Sequence, residues 1–113
     1  MAERQPFEPS TAEIRLTDVL GALADPVRLE LAQLIERTGN EWGESSCSQY
    51  ADLLGIHKST VSHHLKVLRE AGLTRTRVDG RNRWVRLRRD DLDARFPGLL
   101  GAVLESAPEH VAR

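Results

Sequence analysis

A chain of 113 residues with 40% hydrophobic and 29% charged residues suits one soluble domain with a modest core, and its composition argues against wholesale disorder. No apolar run approaches the roughly 20 residues that span a bilayer, and the N-terminal MAERQPFEPSTAE lacks the basic-then-apolar pattern of a secretory signal. The one cysteine, Cys47, cannot form an internal disulfide, so the expected setting is a reduced cytoplasm with no membrane partner. The net charge of −1 conceals a segregation: from His57 to Arg89 ten Lys/Arg face two acids, a net +8, while the remainder carries six basic and fifteen acidic residues. That pattern suits a polyanion-binding face on an acidic body.

Residues 1–10 hold two prolines and no apolar period, which predicts a disordered tail. From Thr11, the residues Ile14, Leu16, Val19, Leu20 and Leu23 predict a first helix. Asp25-Pro26 opens a second, because the aspartate accepts from free first-turn amides and proline at the first position loses no helical bond. Val27, Leu31, Leu34 and Ile35 continue it, and Gly39 stops it. After a polar connection, Ser46-x-x-Gln49 reads as a capping box for a short helix carrying Tyr50, Ala51, Leu53 and Leu54. Gly55 ends that helix. Another runs from near Lys58, with Val61, Leu65 and Leu68 on one face, to Gly72.

Beyond Gly72 the period changes. Thr74–Val78 and Trp84–Leu87 read as two strands around an Asp79-Gly80 turn. Leu92, Phe96, Leu99, Leu100, Val103 and Leu104 predict a final helix that Pro97 kinks or restarts. Residues 106–113 read as a C-terminal tail, leaving 11–105 as the working domain. The fold class is therefore mainly α with a small β-hairpin, in the order α-α-α-α-β-β-α.

The helices around Gly55 have helix-turn-helix character: small Ala51 lets them approach, Gly55 permits the tight turn, and branched Val61 packs one on the other. The helix from Lys58 is then the candidate recognition helix. With Val61 inward, His64, Leu65 and Leu68 share its side, while Ser59, Thr60, Ser62, His63 and Lys66 lie towards the other. Short hydroxyls can reach base edges or phosphates, and Lys58 and Lys66 can meet phosphate or guanine. Arg75, Arg77, Arg81 and Arg83, with Arg86, concentrate on the hairpin and suit backbone or minor-groove contact.

LADPVRLELAQLI, STVSHHLKVLREAGL and a wing ending RWVRL resemble the ArsR family of winged helix repressors over roughly residues 15–104. The resemblance implies a symmetric homodimer, joined through its first and last helices, that binds an imperfect palindrome in double-stranded DNA and represses until an effector arrives. Leu16, Val19, Leu20, Leu23, Leu99, Leu100, Val103 and Leu104 are the expected interface.

Neither of two metal sites known in the family is intact in this sequence. One known site uses Cys-x-Cys at the start of the third helix, where this chain has Ser45-Ser46-Cys47-Ser48-Gln49 and a single thiol. Another uses Asp and His on the last helix with His and Glu from the partner. Asp90, Asp91, Asp93 and Glu105 are present, but the helix body lacks histidine and His110 lies beyond Pro108. No metal or other cofactor is expected, and the effector, if any, is an unidentified small molecule. No phosphate loop, nucleophile elbow or HExxH marks an enzyme. Two alternatives stay open: a winged helix protein-interaction module without DNA binding, and a repressor switched by oxidation of Cys47.

Overall fold

The computed structural model describes residues 5–106. Six helices run in the order α1 (Leu16–Leu23), α2 (Pro26–Thr38), α3 (Tyr50–Leu54), α4 (Lys58–Glu70), α5 (Arg89–Arg95) and α6 (Leu99–Ser106). Three short strands, β1 (Ser45–Ser46), β2 (Thr74–Asp79) and β3 (Asn82–Leu87), form an antiparallel sheet in the order β1-β3-β2. The helices and the inner face of the sheet enclose one core, in which Leu31, Leu68, Leu73 and Val85 are fully buried. Each such leucine contributes about 1.5–3 kcal/mol relative to an exposed one.

The second helix begins as the sequence predicts. Asp25 Oδ1 accepts from the Val27 and Arg28 amides at 2.8 and 3.0 Å, and Pro26 occupies the first turn. Burial raises the Asp25 pKa, but these two amide bonds, with the nearby Arg28 charge, hold it below its usual value.

The first helix is shorter than expected. Ser10 and Glu13 close a reciprocal box around one 3-10 turn, Thr11–Glu13, and Ile14 is extended before α1 starts at Leu16. Ile14 instead plugs the core beneath Gly72, where a Cβ would come within 2.6 Å of its Cγ1.

The predicted tail also differs. Residues 5–10 form a strap along β2, the longer edge strand of the sheet. The Gln5 amide pairs with the Val78 N–H and C=O, and Glu8 accepts from the Thr76 N–H and from Arg75. The buried Arg88 donates to the Pro9 carbonyl at 2.7 Å and to Asp91 at 2.9 Å. Side chains thus satisfy edge groups that a strand partner would otherwise take.

Between α2 and α3 the polar connection adds the third strand, pairing Ser45 with Val85 and Ser46 with Trp84. Buried Tyr50 holds it there, its hydroxyl bonded to Ser45 and, at 2.8 Å, to Thr38 at the end of α2. The expected capping box is half formed: Ser46 Oγ accepts from the Ser48 amide, but Gln49 donates to the Ser46 carbonyl. A 3-10 turn, Cys47–Gln49, therefore precedes α3.

The hairpin turn is displaced by one residue. Asp79 pairs with Asn82, so Gly80 and Arg81 form the two-residue loop. Gly80 has φ +63 and, among the described residues, no non-glycine residue has positive φ, so Arg81 does not, as a II′ loop with glycine first requires. At the C-terminal end Pro97 restarts the chain: α5 stops before Phe96 and α6 begins at Leu99.

Candidate nucleic-acid interface

The α3–α4 pair forms the expected helix-turn-helix. Gly55 takes the left-handed conformation at the end of α3, and Val61, packed in the core, is 3% exposed. His57 caps α4, its Nδ1 accepting from the Ser59 amide at 3.1 Å.

The faces of α4 sort by chemistry. Val61, His64, Leu65 and Leu68 are buried, while Lys58, Ser59, Thr60, Ser62, His63 and Lys66 are all exposed. Buried His64 lies 3.4 Å from an Arg28 nitrogen through its Nδ1. Desolvation holds its pKa below the usual value, opposed in part by Asp25.

The four candidate wing arginines divide into two pairs. Arg75 and Arg77 lie on the outer face of β2 and are already engaged. Arg75 bridges Glu8 at 3.1 Å and Asp91 at 3.4 Å. Arg77 forms a two-pronged bond with Glu44 at 3.0 and 3.1 Å and lies over the Trp84 ring. The Arg77 bond holds the Glu44 carboxyl below its usual pKa. Arg81 at the turn and Arg83 on β3 are exposed, and neither forms an ion pair among the described residues.

Arg83 lies on the same face of β3 as core Val85 and reaches toward α4. It lines a recess of about 350 Å³ with Cys47, Ser62, Leu65, Arg69 and Thr76. Arg69 lies outside the residues that the sequence singles out. It sits seven positions after Ser62 and so shares its face, a spacing that could have revealed it. Half-buried Cys47 has its thiol pKa pushed up to about 11 by burial, against the opposing charges of Arg83 and Arg69.

The expected interface residues also divide. Val19, Leu23, Leu100 and Leu104 are at most 6% exposed and pack inside the chain's own core. Leu16 and Leu20 are 43% and 45% exposed on α1, while Leu99 and Val103 are partly buried on α6. No group of three or more His, Cys, Asp or Glu among the described residues is placed to hold a metal ion, and His110 lies outside them.

A helix-turn-helix domain family matches residues 23–77. An uncharacterized HTH-type transcriptional regulator of Bacillus subtilis, YceK, is 40% identical over 94 residues, covering 83% of this chain and 90% of that protein. Among solved structures, the homodimeric winged helix-turn-helix DNA-binding domain of Mb0332 from Mycobacterium bovis, described as a possible ArsR-family regulator, is 28% identical. It superposes with a TM-score of 0.63 over 87% of this chain and 85% of its own. An ArsR-like regulator from Rhodococcus sp. RHA1 is 27% identical with a TM-score of 0.60, covering 80% of this chain and 82% of its own. With its helix-turn-helix, wing and these relatives together, the chain belongs to the ArsR family of winged helix-turn-helix transcriptional regulators.

Proposed function

We propose that the protein binds an imperfect palindromic operator in duplex DNA as a homodimer and represses transcription. In this reading α4 enters the major groove, with Ser59, Thr60 and His63 at base edges. Lys58, Ser62 and Lys66 meet backbone phosphates beside it, and Arg81 and Arg83 hold the flanking backbone from the wing. Arg75 and Arg77 play a smaller part, because carboxylates already hold them.

The observation that carries this reading is the continuity of exposed Lys58, Ser59, Thr60, Ser62, His63 and Lys66 on one helix face beside the wing arginines. A protein-interaction surface would be depleted of charge at its centre. Leu16 and Leu20 on α1, and Leu99 and Val103 on α6, are the apolar surface that a second copy would cover, and the homodimer in the Mycobacterium bovis neighbour supports that arrangement. Residues 11–105 act as one DNA-binding and dimerisation unit. The oxidation-switched alternative is weaker: the thiolate is the reactive species, and Cys47 is held protonated.

The test is a fluorescence-anisotropy titration against the promoter upstream of the protein's own gene and a scrambled duplex. Salt-sensitive binding that prefers the promoter is expected. Replacing Ser59 or His63 by alanine should reduce that preference more than it reduces scrambled binding. A folded dimer that binds neither duplex would sink the proposal.

A further inference from the structure

The recess between the recognition helix and the wing has a chemistry of its own. Its polar lining is Ser62 and Arg69 from α4, Thr76 from β2, Arg83 from β3 and Cys47 from the 3-10 turn, over an apolar floor at Leu65. No carboxylate lines it. The other basic depressions differ: the one that includes Arg75 and Arg86 also holds Asp90 and Asp91, and the larger one on the outer sheet face holds Glu8, Glu44 and Asp79.

Two guanidinium groups sharing a recess without a counter-charge repel each other, and a planar fork of N–H donors matches the oxygens of a phosphate. Arg69 Nε donates to the Phe7 carbonyl at 3.1 Å, and among the described residues no hydrogen bond or ion pair engages its terminal nitrogens, which can face an anion. The two hydroxyls add neutral donors of the kind that complete phosphate sites. At about 350 Å³ the space admits one such group with its waters.

We infer that this recess is a seat for a single tetrahedral phosphate-class oxyanion, gripped by Arg69 and Arg83 and assisted by Ser62 and Thr76. Two sources can supply that chemistry: a backbone phosphate of bound duplex, passing from recognition helix to wing, or a free inorganic oxyanion. The duplex source rests on the function proposed above; the free source does not. A free anion in the seat would compete with the backbone and tie DNA affinity to phosphate concentration.

Cys47 lines the seat and is the chain's one cysteine, so its slow alkylation by neutral N-ethylmaleimide, followed at mildly alkaline pH because burial keeps the thiol protonated, reports on this recess alone. The rate is measured with inorganic phosphate against chloride at matched ionic strength, and separately with promoter duplex whose binding is followed by anisotropy. Phosphate at about ten times its Kd should slow alkylation about tenfold by mass action. Arg69→Gln and Arg83→Gln should abolish protection by either source, whereas Arg69→Lys should keep part of it; melting curves establish that each variant is folded.

Protection by phosphate without any duplex binding would leave the seat standing while the proposed DNA function fails. Protection by duplex alone, lost in both glutamine variants at duplex concentrations that anisotropy shows still saturate them, assigns the seat to a backbone phosphate. Duplex that binds tightly but leaves alkylation unchanged, with phosphate equally inert, overturns the seat and leaves the function intact. Protection that persists in the folded glutamine variants also overturns it, because simple coverage of the surface then explains the effect.

Discussion

Replacing Arg81 and Arg83 together by alanine should have a larger effect on DNA binding than replacing Arg75 and Arg77. Arg81 and Arg83 are exposed and have no carboxylate partner among the described residues. Arg75 and Arg77 must first release Glu8, Asp91 and Glu44 before meeting a phosphate. Each phosphate contact adds about 0.9 to the slope of log affinity against log salt, so losing two per protomer flattens a dimer's slope by about 3.6. Between about 50 and 200 mM salt, wild-type affinity should then fall about 150-fold further than that of the Arg81→Ala, Arg83→Ala variant. The Arg75→Ala, Arg77→Ala variant should change the slope by less than half as much. The assay is anisotropy on promoter and scrambled duplexes over a salt series, with circular dichroism to establish that each variant is folded. Equal changes in slope from the two pairs would refute the reasoning, because the carboxylates would then not be withholding Arg75 and Arg77 from DNA.

Other consequences follow from particular contacts. Leu16→Glu with Leu20→Glu alters two side chains that are more than 40% exposed, so the fold should survive while sedimentation gives the monomer mass; a persistent dimer would remove α1 from the interface. Gly72→Ala combines a positive φ of 92° with a 2.6 Å approach to Ile14, costing about 1–2 kcal/mol for the backbone and about 1–3 kcal/mol for overpacking. Gly80→Ala, with open space around it, should cost only the backbone part. If urea melts show equal losses at the two glycines, the contact with Ile14 is not tight. Because burial holds His64 below its usual pKa of 6.5, the native state binds the proton less readily than the unfolded chain. Its contribution to stability is therefore full above that value and is lost as pH falls through the depressed native pKa. His64→Gln should flatten stability against pH in that window, and an unchanged profile would mean that other groups set it.

The amphipathic faces were legible because their causes are local. The cap at Asp25, the buried stripe of Val61, Leu65 and Leu68, and the polar face from Lys58 to Lys66 follow from helical spacing and residue type. The turn was misplaced by one residue because Asp79-Gly80 and Gly80-Arg81 both satisfy a glycine-containing loop, and pairing across the strands decided between them. The two-residue strand β1 was too short to carry a period; it forms because Tyr50, buried between α2 and the sheet, bonds Ser45.

The helix-turn-helix and the basic hairpin after it can be read in chain order, since each rests on contacts only a few residues apart. Which charges remain available depends on how distant segments pack. Glu8 meets Arg75 across 67 residues and Glu44 meets Arg77 across 33, while Arg69 and Arg83 converge from a helix and a strand on one recess. Ion pairing depends on distance through space, so a list of arginines in chain order cannot show which are neutralised and which are left for a partner.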